Sequence, residues 1–423
     1  MSINASSKMG FNATWSMAVG GMVGGGIFAT LGLVIQLAGE YAWAAYLIGG
    51  IAALMTGISY ESLARHFDES GGAFIFLREV DNKKLAGNIS WLLILSYVLT
   101  ISVYAFTFGH YLEYLLGIEN GFVARFAAAS IIIVLTGINL RGVSGSAILE
   151  IVSVWVKVII LLGLSLAGLM RYSPDMLTYN EVEYSPFTGI AIGAAVVFMA
   201  YEGFQLLAYD YNDIKNSKKT LPLAIITAIL SVIAIYILIT LGTTAITGPG
   251  VIVEHKEIAL AKAGERLWGT TGLIVMSVAA VLSTASAINS TLFATARLSK
   301  LVADDKELPS YLAKENGQGV PSHALVLLGA AALVLAVLGN LGVLVEGASL
   351  LFLVVFGVVN GLAAINTNSV KALKWAGCAL CLVLAFFNAY YIAVEHWWVL
   401  AVLILSCVSI ITIRSLCFHQ NTE

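Results

Sequence analysis

Apolar residues run through this chain in windows of about twenty, the length a helix needs to cross a hydrocarbon core about 30 Å thick. Twelve such windows can be marked: 10–37, 40–64, 87–116, 122–140, 146–171, 188–211, 220–246, 268–298, 322–339, 343–367, 372–393 and 396–416. The pattern predicts an all-α polytopic membrane protein, because in lipid a helix satisfies its own backbone N–H and C=O groups. The polar connection 251–266 reads as a short amphipathic helix lying over one face, and 172–187 is the other long connection on that side. On the opposite side, 65–86 reads as an interfacial helix following Gly71-Gly72, and 301–321 is a polar connection with Pro309 and Pro321.

Composition narrows the class. The 423 residues are 59% hydrophobic and only 11% charged, whereas soluble domains carry about 25% charged residues. Little of the chain is left for a soluble domain. A net charge of -3 without an exposed basic arm gives no footprint for nucleic acid. The polar first nine residues lead into a full span, which predicts no cleavable signal peptide. With an even number of spans both termini share one side. Sixteen Lys and Arg residues flank the spans on that side against five on the other, so both termini are expected in the cytoplasm and the protein in the cell membrane. No H-E-x-x-H, no G-x-S-x-G paired with histidine and no intramembrane cluster of acids and histidines is present. Neither an enzyme nor a cofactor nor a metal is implied. Cys378 and Cys381 form a C-x-x-C inside an apolar window and read as small packing residues. Oligomeric state leaves no signature.

One charge stands out against this background. Lys157 lies in the middle of the window 146–171, too far from either end to snorkel easily. An ammonium at the bilayer centre costs roughly 2.5–3.5 kcal/mol on insertion scales. It should therefore face a polar cavity, find partners or give up its proton.

Two spans are interrupted. In the first, Gly20, Gly21, Gly24, Gly25 and Gly26 put five glycines in seven positions. Each disfavours helix by about 1 kcal/mol relative to alanine, and three in a row at mid-depth invite unwinding. The sixth has Phe198-Met199-Ala200-Tyr201-Glu202-Gly203-Phe204 at the same depth. These spans are five apart. An odd repeat inverts its topology, and broken helices at matching places in inverted halves mark a transporter's substrate site. Half-helix amino termini suit a carboxylate and unwound carbonyls suit an ammonium or cation. An α-amino acid presents both.

These segments resemble the amino acid–polyamine–organocation (APC) family. Gly24-Gly25-Gly26-Ile27-Phe28 is similar to its first-helix signature, and 198–204 to its sixth-helix segment. Asn212 to Pro222 resembles the loop that follows, with Ser217 and Asn212 departing from the commoner residues. Ala296-Arg297, Asp304-Asp305 and Leu308-Pro309 resemble the end of the eighth helix. The resemblance implies the LeuT-type fold of five-plus-five inverted repeats (1–171 and 188–367) with two further helices (372–416). It implies that amides around Gly24, Gly25 and Gly26 bind a substrate carboxylate. Carbonyls of Met22 or Val23, and of Met199, Ala200 and Glu202, would take the amino group, with Ile27 in the apolar lining. In the proton-coupled ApcT-like branch a fifth-helix lysine stands where sodium-coupled relatives bind a sodium ion. Lys157 matches it, with Ser283, Thr284 and Ser286 as eighth-helix partners, and the proton becomes the coupling ion.

Other side chains carry bland readings beside the sharp ones. Glu202 either meets a cationic ligand or hydrogen-bonds neighbouring helices. Tyr104 is the aromatic of the third span that could line the pocket, and Phe204 is expected as an outer lid because it follows the unwound turn. Asn289 and Asn360 read as interhelical hydrogen bonds. The leading expectation is a secondary transporter moving L-amino acids with protons. The alternative is an amino acid/polyamine exchanger in which Lys157 is structural.

Overall fold

The structure, a computed structural model, describes residues 8–80, 83–118, 120–142, 147–171, 173–179 and 181–418. Among them it is helical throughout, apart from turns and one isolated β-bridge. The first window splits into α1 (Phe11–Met22) and α2 (Gly26–Ala38), and α3 (Ala42–Phe67) returns across the molecule. There follow α4 (Gly72–Glu79), α5 (Lys83–Leu115), α6 (Phe122–Leu140), α7 (Ala147–Leu169) and α8 (Pro186–Val196). Next come α9 (Ser217–Thr247), α10 (Pro249–Glu254), α11 (Ala259–Asp304) and α12 (Ser322–Leu338). The last three helices are α13 (Leu341–Asn366), α14 (Lys371–Glu395) and α15 (Trp397–Phe418). Eight helical stretches among the described residues are long and apolar enough to cross a membrane. Large apolar side chains on the perimeter, including Ile133, Ile159, Leu166, Phe386 and Leu405, are exposed, as a lipid-facing surface requires.

The halves of the first window, at 12 and 13 residues, are each too short to span alone. They sit at the centre of the molecule, and every residue from Met22 to Thr30 is buried. The sixth window departs from α-helix in the same zone. After α8 the chain tightens into 3₁₀ turns at Val197–Tyr201 and Phe204–Ala208, with Glu202 and Gly203 between them. α8 begins on Ser185, whose hydroxyl accepts from the Thr188 amide at 3.4 Å, with Pro186 in its first turn.

Contacts define two ends. At the basic end, Asp68 pairs with Lys218 at 3.1 Å, Arg78 lies 3.9 Å from Asp305 and Lys300 pairs with Glu315 at 2.9 Å. There a parallel bridge joins Met9 to Ile214: the Met9 amide donates to Asp213 and the Lys215 amide to Met9, each at 2.8 Å. At the other end Tyr184 donates to Glu395 at 2.8 Å and Lys256 to Gln36 at 3.4 Å.

Two expectations change. The segment 65–86 does hold a helix, α4, but Ala73 to Leu77 are at most 1% exposed; they pack under α5 rather than lying at an interface. The amphipathic segment over the other face is α10 together with the start of α11. Gly269, at φ 62 and ψ -146, kinks α11 where that segment enters the expected span. Cys381 sits buried within 3.7 Å of Thr56 and 3.6 Å of Asn360, a packing position like the one expected.

Candidate functional site

A helix leaves its last four carbonyls without intrahelical donors, and at mid-depth no water replaces them. α1 meets this demand one carbonyl at a time. Lys157 on α7 donates from Nζ to the Gly20 oxygen at 3.1 Å, and the Gly24 amide turns back to Gly21 at 3.2 Å. The Tyr236 hydroxyl on α9 donates to Met22 at 2.6 Å, and Ser283 on α11 donates to Val23 at 2.8 Å. Three different helices thus hold the broken end of α1. Lys157 is only 4% exposed, and no carboxylate lies within 4 Å of its Nζ among the described residues.

The three glycines serve closeness more than dihedral freedom. A Cβ on Gly24 would stand 2.6 Å from Ala287 Cβ, one on Gly25 2.2 Å from the Tyr104 ring, and one on Gly26 2.6 Å from Ala200 Cα. Each glycine is therefore pressed by a different neighbour: α11, α5 and the second break. The amides of Gly25, Gly26 and Ile27, at the start of α2, make no hydrogen bond within the described residues. They are the donors that the amino end of a helix offers to an anion.

The second break is tied to the first. Tyr236 also donates to the Ala200 carbonyl at 2.8 Å, so one hydroxyl proton is shared between the two interrupted spans. Gly203, at φ 132, brings its backbone against Gly21; a Cβ there would lie 2.7 Å from the Gly21 carbonyl carbon. Ser349 on α13 accepts from the Met199 amide at 2.9 Å and donates to Val196 at 2.7 Å. The Glu202 carboxyl is 1% exposed. It accepts from Tyr104 at 3.3 Å and from Gln205 Nε2 at 3.1 Å, while Gln205 Oε1 accepts from the Gly203 amide at 2.8 Å.

The structure brings Met22, Val23, Gly24, Gly25, Gly26, Met199, Ala200, Glu202, Tyr104, Lys157 and Ser283 into one buried cluster, with Ile27 in the first turn of α2. It does not bring in the rest. Thr284 donates back to Ala280 of its own helix at 2.7 Å, and Ser286 is exposed; a turn of α11 presents only Ser283 to the break. Phe204 lies on the basic side of the break. Span six runs from the end of Ser185 toward the basic end, so a residue after the break lies on the basic side. Phe204 packs there edge-on to Tyr60 at 6.0 Å and against Phe356 at 5.7 Å. Asn360 and Asn289 are interhelical bonds as expected, accepting from Ser59 at 2.6 Å and from Asn139 at 2.8 Å. Tyr236, Gln205 and Ser349 were missed. Gln205 carried a signal, three residues after Glu202; the other two look like ordinary polar residues in apolar helices.

A cavity of about 560 Å³ opens from the basic end toward this cluster. Met17 of α1, Glu150 of α7, Ser290 of α11 and Tyr209 line it, and Arg297 with Asp210, 3.5 Å apart, stand in its wall.

Known proteins resemble the chain along most of its length. A family model described as amino acid permease matches residues 9–421. The inner membrane transport protein YbaT of Escherichia coli is 29% identical over 84% of this chain and 82% of its own length. The methylthioribose transporter of Bacillus subtilis is 27% identical over 81% and 77%. The serine/threonine exchanger SteT of the same species is 26% identical over 71% and 69%. A match of this extent, on a chain with two interrupted helices at its centre, decides the family: the chain belongs to the amino acid permeases, which are transporters and not enzymes.

Proposed function

We propose that this protein is a secondary active transporter of L-amino acids that works by alternating access and couples uptake to protons. It would sit in the cell membrane with both termini cytoplasmic, as the Lys and Arg distribution favours. Its architecture would be the LeuT-type inverted repeat, 1–171 against 188–367, with 372–416 appended. The observation that carries the reading is the way α1 ends. A buried amine on α7 and a hydroxyl on α11 hold carbonyls on either side of the turn, at Gly20 and Val23. A cation there is what a sodium-coupled carrier would use, and Lys157 supplies one from the chain itself.

The substrate carboxylate would take the amides at the start of α2, and its ammonium the carbonyls around Met22 and Ala200. Tyr236 now occupies both of those carbonyls, so substrate would share or displace its hydroxyl. Charged Lys157 braces α1 against α7. Loss of its proton removes the charge from the contact and loosens that brace, which lets the broken helix move between states. The cavity at the basic end fits the state open to the cytoplasm.

Uptake of labelled amino acids into proteoliposomes, with imposed pH gradients and with or without sodium, tests the reading. Wild type should respond to the proton gradient and ignore sodium. Lys157→Ala should keep its substrate-induced thermal shift and lose the pH dependence; an unaltered pH dependence in that variant would refute the assignment. The likeness to a serine/threonine exchanger supports a second reading, exchange without obligatory protons. Counterflow unaffected by collapsing the gradient, with no gradient-driven accumulation, would favour it. A polyamine substrate is less suited, since Glu202 already accepts from two buried donors.

A further inference from the structure

We propose that Glu150 is the group through which Lys157 exchanges its proton with solution at the basic end. The inference rests on the proton-coupled reading above and names the path that reading leaves open. Lys157 is 4% exposed and cannot meet bulk water directly. Seven residues along a helix is two turns, about 10.5 Å of rise with only about 20° of rotation. Glu150 and Lys157 therefore share one face of α7, and Val154 between them packs on α1, 2.8 Å from where a Gly20 Cβ would be. Glu150 is exposed, and it is exposed into the cavity of about 560 Å³. That cavity also reaches Met17, one turn of α1 before the carbonyl that Lys157 holds.

Among the described residues the other titratable groups are engaged elsewhere: Glu202, in the same cluster, is 1% exposed and accepts from Tyr104 and Gln205. α1 has no titratable side chain between Phe11 and Met22. α9 presents Tyr236, which is committed to the two breaks, and α11 presents Ser283 and Ser290. The remaining charges stand at the mouth and face one another: Asp210 with Arg297 at 3.5 Å, and Lys300 with Asp304 at 3.6 Å and Glu315 at 2.9 Å. Tyr209 lines the same wall.

The step balances. The Lys157 ammonium gives a proton to the Glu150 carboxylate through water admitted between them from the cavity that Glu150 lines, leaving a neutral amine and a neutral carboxylic acid. The acid then releases the proton to the vestibule and is ionised again. The first transfer turns one plus and one minus charge into two neutral groups, so no net charge is created in a low-dielectric region. Glu150 acts through Lys157 and touches no substrate.

The test uses the full chain in proteoliposomes and compares wild type, Glu150→Gln and Glu150→Asp. Glu150→Gln should lower gradient-driven uptake roughly a hundred-fold, the low end of what a positioned acid–base group contributes. It should flatten the pH profile while keeping counterflow at symmetric pH. Glu150→Asp should restore the profile, and formate on the side facing the basic end should partly rescue Glu150→Gln. A Glu150→Gln variant with the wild-type rate and profile overturns the inference. So does a loss that extends equally to counterflow and that neither aspartate nor formate repairs. If wild type shows no gradient-driven uptake, the proton-coupled reading fails first and this inference falls with it.

Discussion

Tyr236 holds both interrupted spans with one hydroxyl, which makes it the residue whose loss should be felt most widely. Tyr236→Phe keeps the ring and leaves two buried carbonyls, at Met22 and Ala200, without their donor. An unsatisfied buried acceptor costs about 1–3 kcal/mol. The variant should melt several degrees lower in detergent and transport poorly, as thermal unfolding and uptake assays would show. The glycines make a sharper comparison. Gly25→Ala meets the Tyr104 ring, so Tyr104→Ala should recover part of the lost stability, a coupling that a double-mutant cycle measures. Gly203→Ala meets backbone at Gly21 and strains a φ of 132, so no side-chain truncation should rescue it. Lys157 and the glycine run were legible in the sequence because a charge and a broken helix are both anomalous in lipid. Tyr236 and Ser349 were not, since hydroxyls are common in membrane helices and nothing in one sequence says which carbonyl they face. Phe204 was read by its distance from the break alone, without the direction in which the span runs.

Helix existence was read well and helix ends less well. Windows of apolar length locate most of the helices, because hydropathy registers burial in lipid. They leave out α4, which was expected in 65–86 as an interfacial helix and instead buries its apolar side chains in protein, while the division between 251–266 and the window from 268 falls at the Gly269 kink. Close pairing of elements follows small residues. α7 and α9 touch through Gly168 and Gly242, where a Cβ on Gly168 would lie 2.1 Å from the Gly242 oxygen. Gly242→Val should separate these helices and, by displacing α7, loosen the hold of Lys157 on α1. The expected result is destabilisation of about 3 kcal/mol or more, as for severe overpacking, read as lost monodispersity on size-exclusion chromatography. At the basic end, α3 is tied to α9 by a more modest link. Hydrogen bonds from Lys218 and then Tyr211 hold the Asp68 carboxyl below its ordinary range. That link is complete above the usual carboxylate range and is lost as pH falls through the lowered value. The pair is exposed, so added salt should mute it, and Lys218→Ala should change thermal unfolding little.

For the molecule as a whole, the cavity of about 560 Å³ is one-sided. It opens at the basic end, while at the other end the turn after α10 lies on α2 so closely that a Cβ on Gly32 would stand 2.1 Å from Lys256 Cβ. If the proposed orientation holds, a thiol placed by Ala294→Cys in a cysteine-free background should react with membrane-impermeant reagents only from the cytoplasmic side. Substrate should slow that reaction, measured by mass shift in inside-out vesicles. The bridge between Met9 and Ile214 carries a consequence for such movements. The strand-like segment ahead of α1 and the one that leaves the second interruption are yoked by two amide–carbonyl links. Any outward swing of α1 must tow residues 213–215 with it or unfasten both links, so the two gaps in the membrane-crossing helices travel in harness rather than one by one.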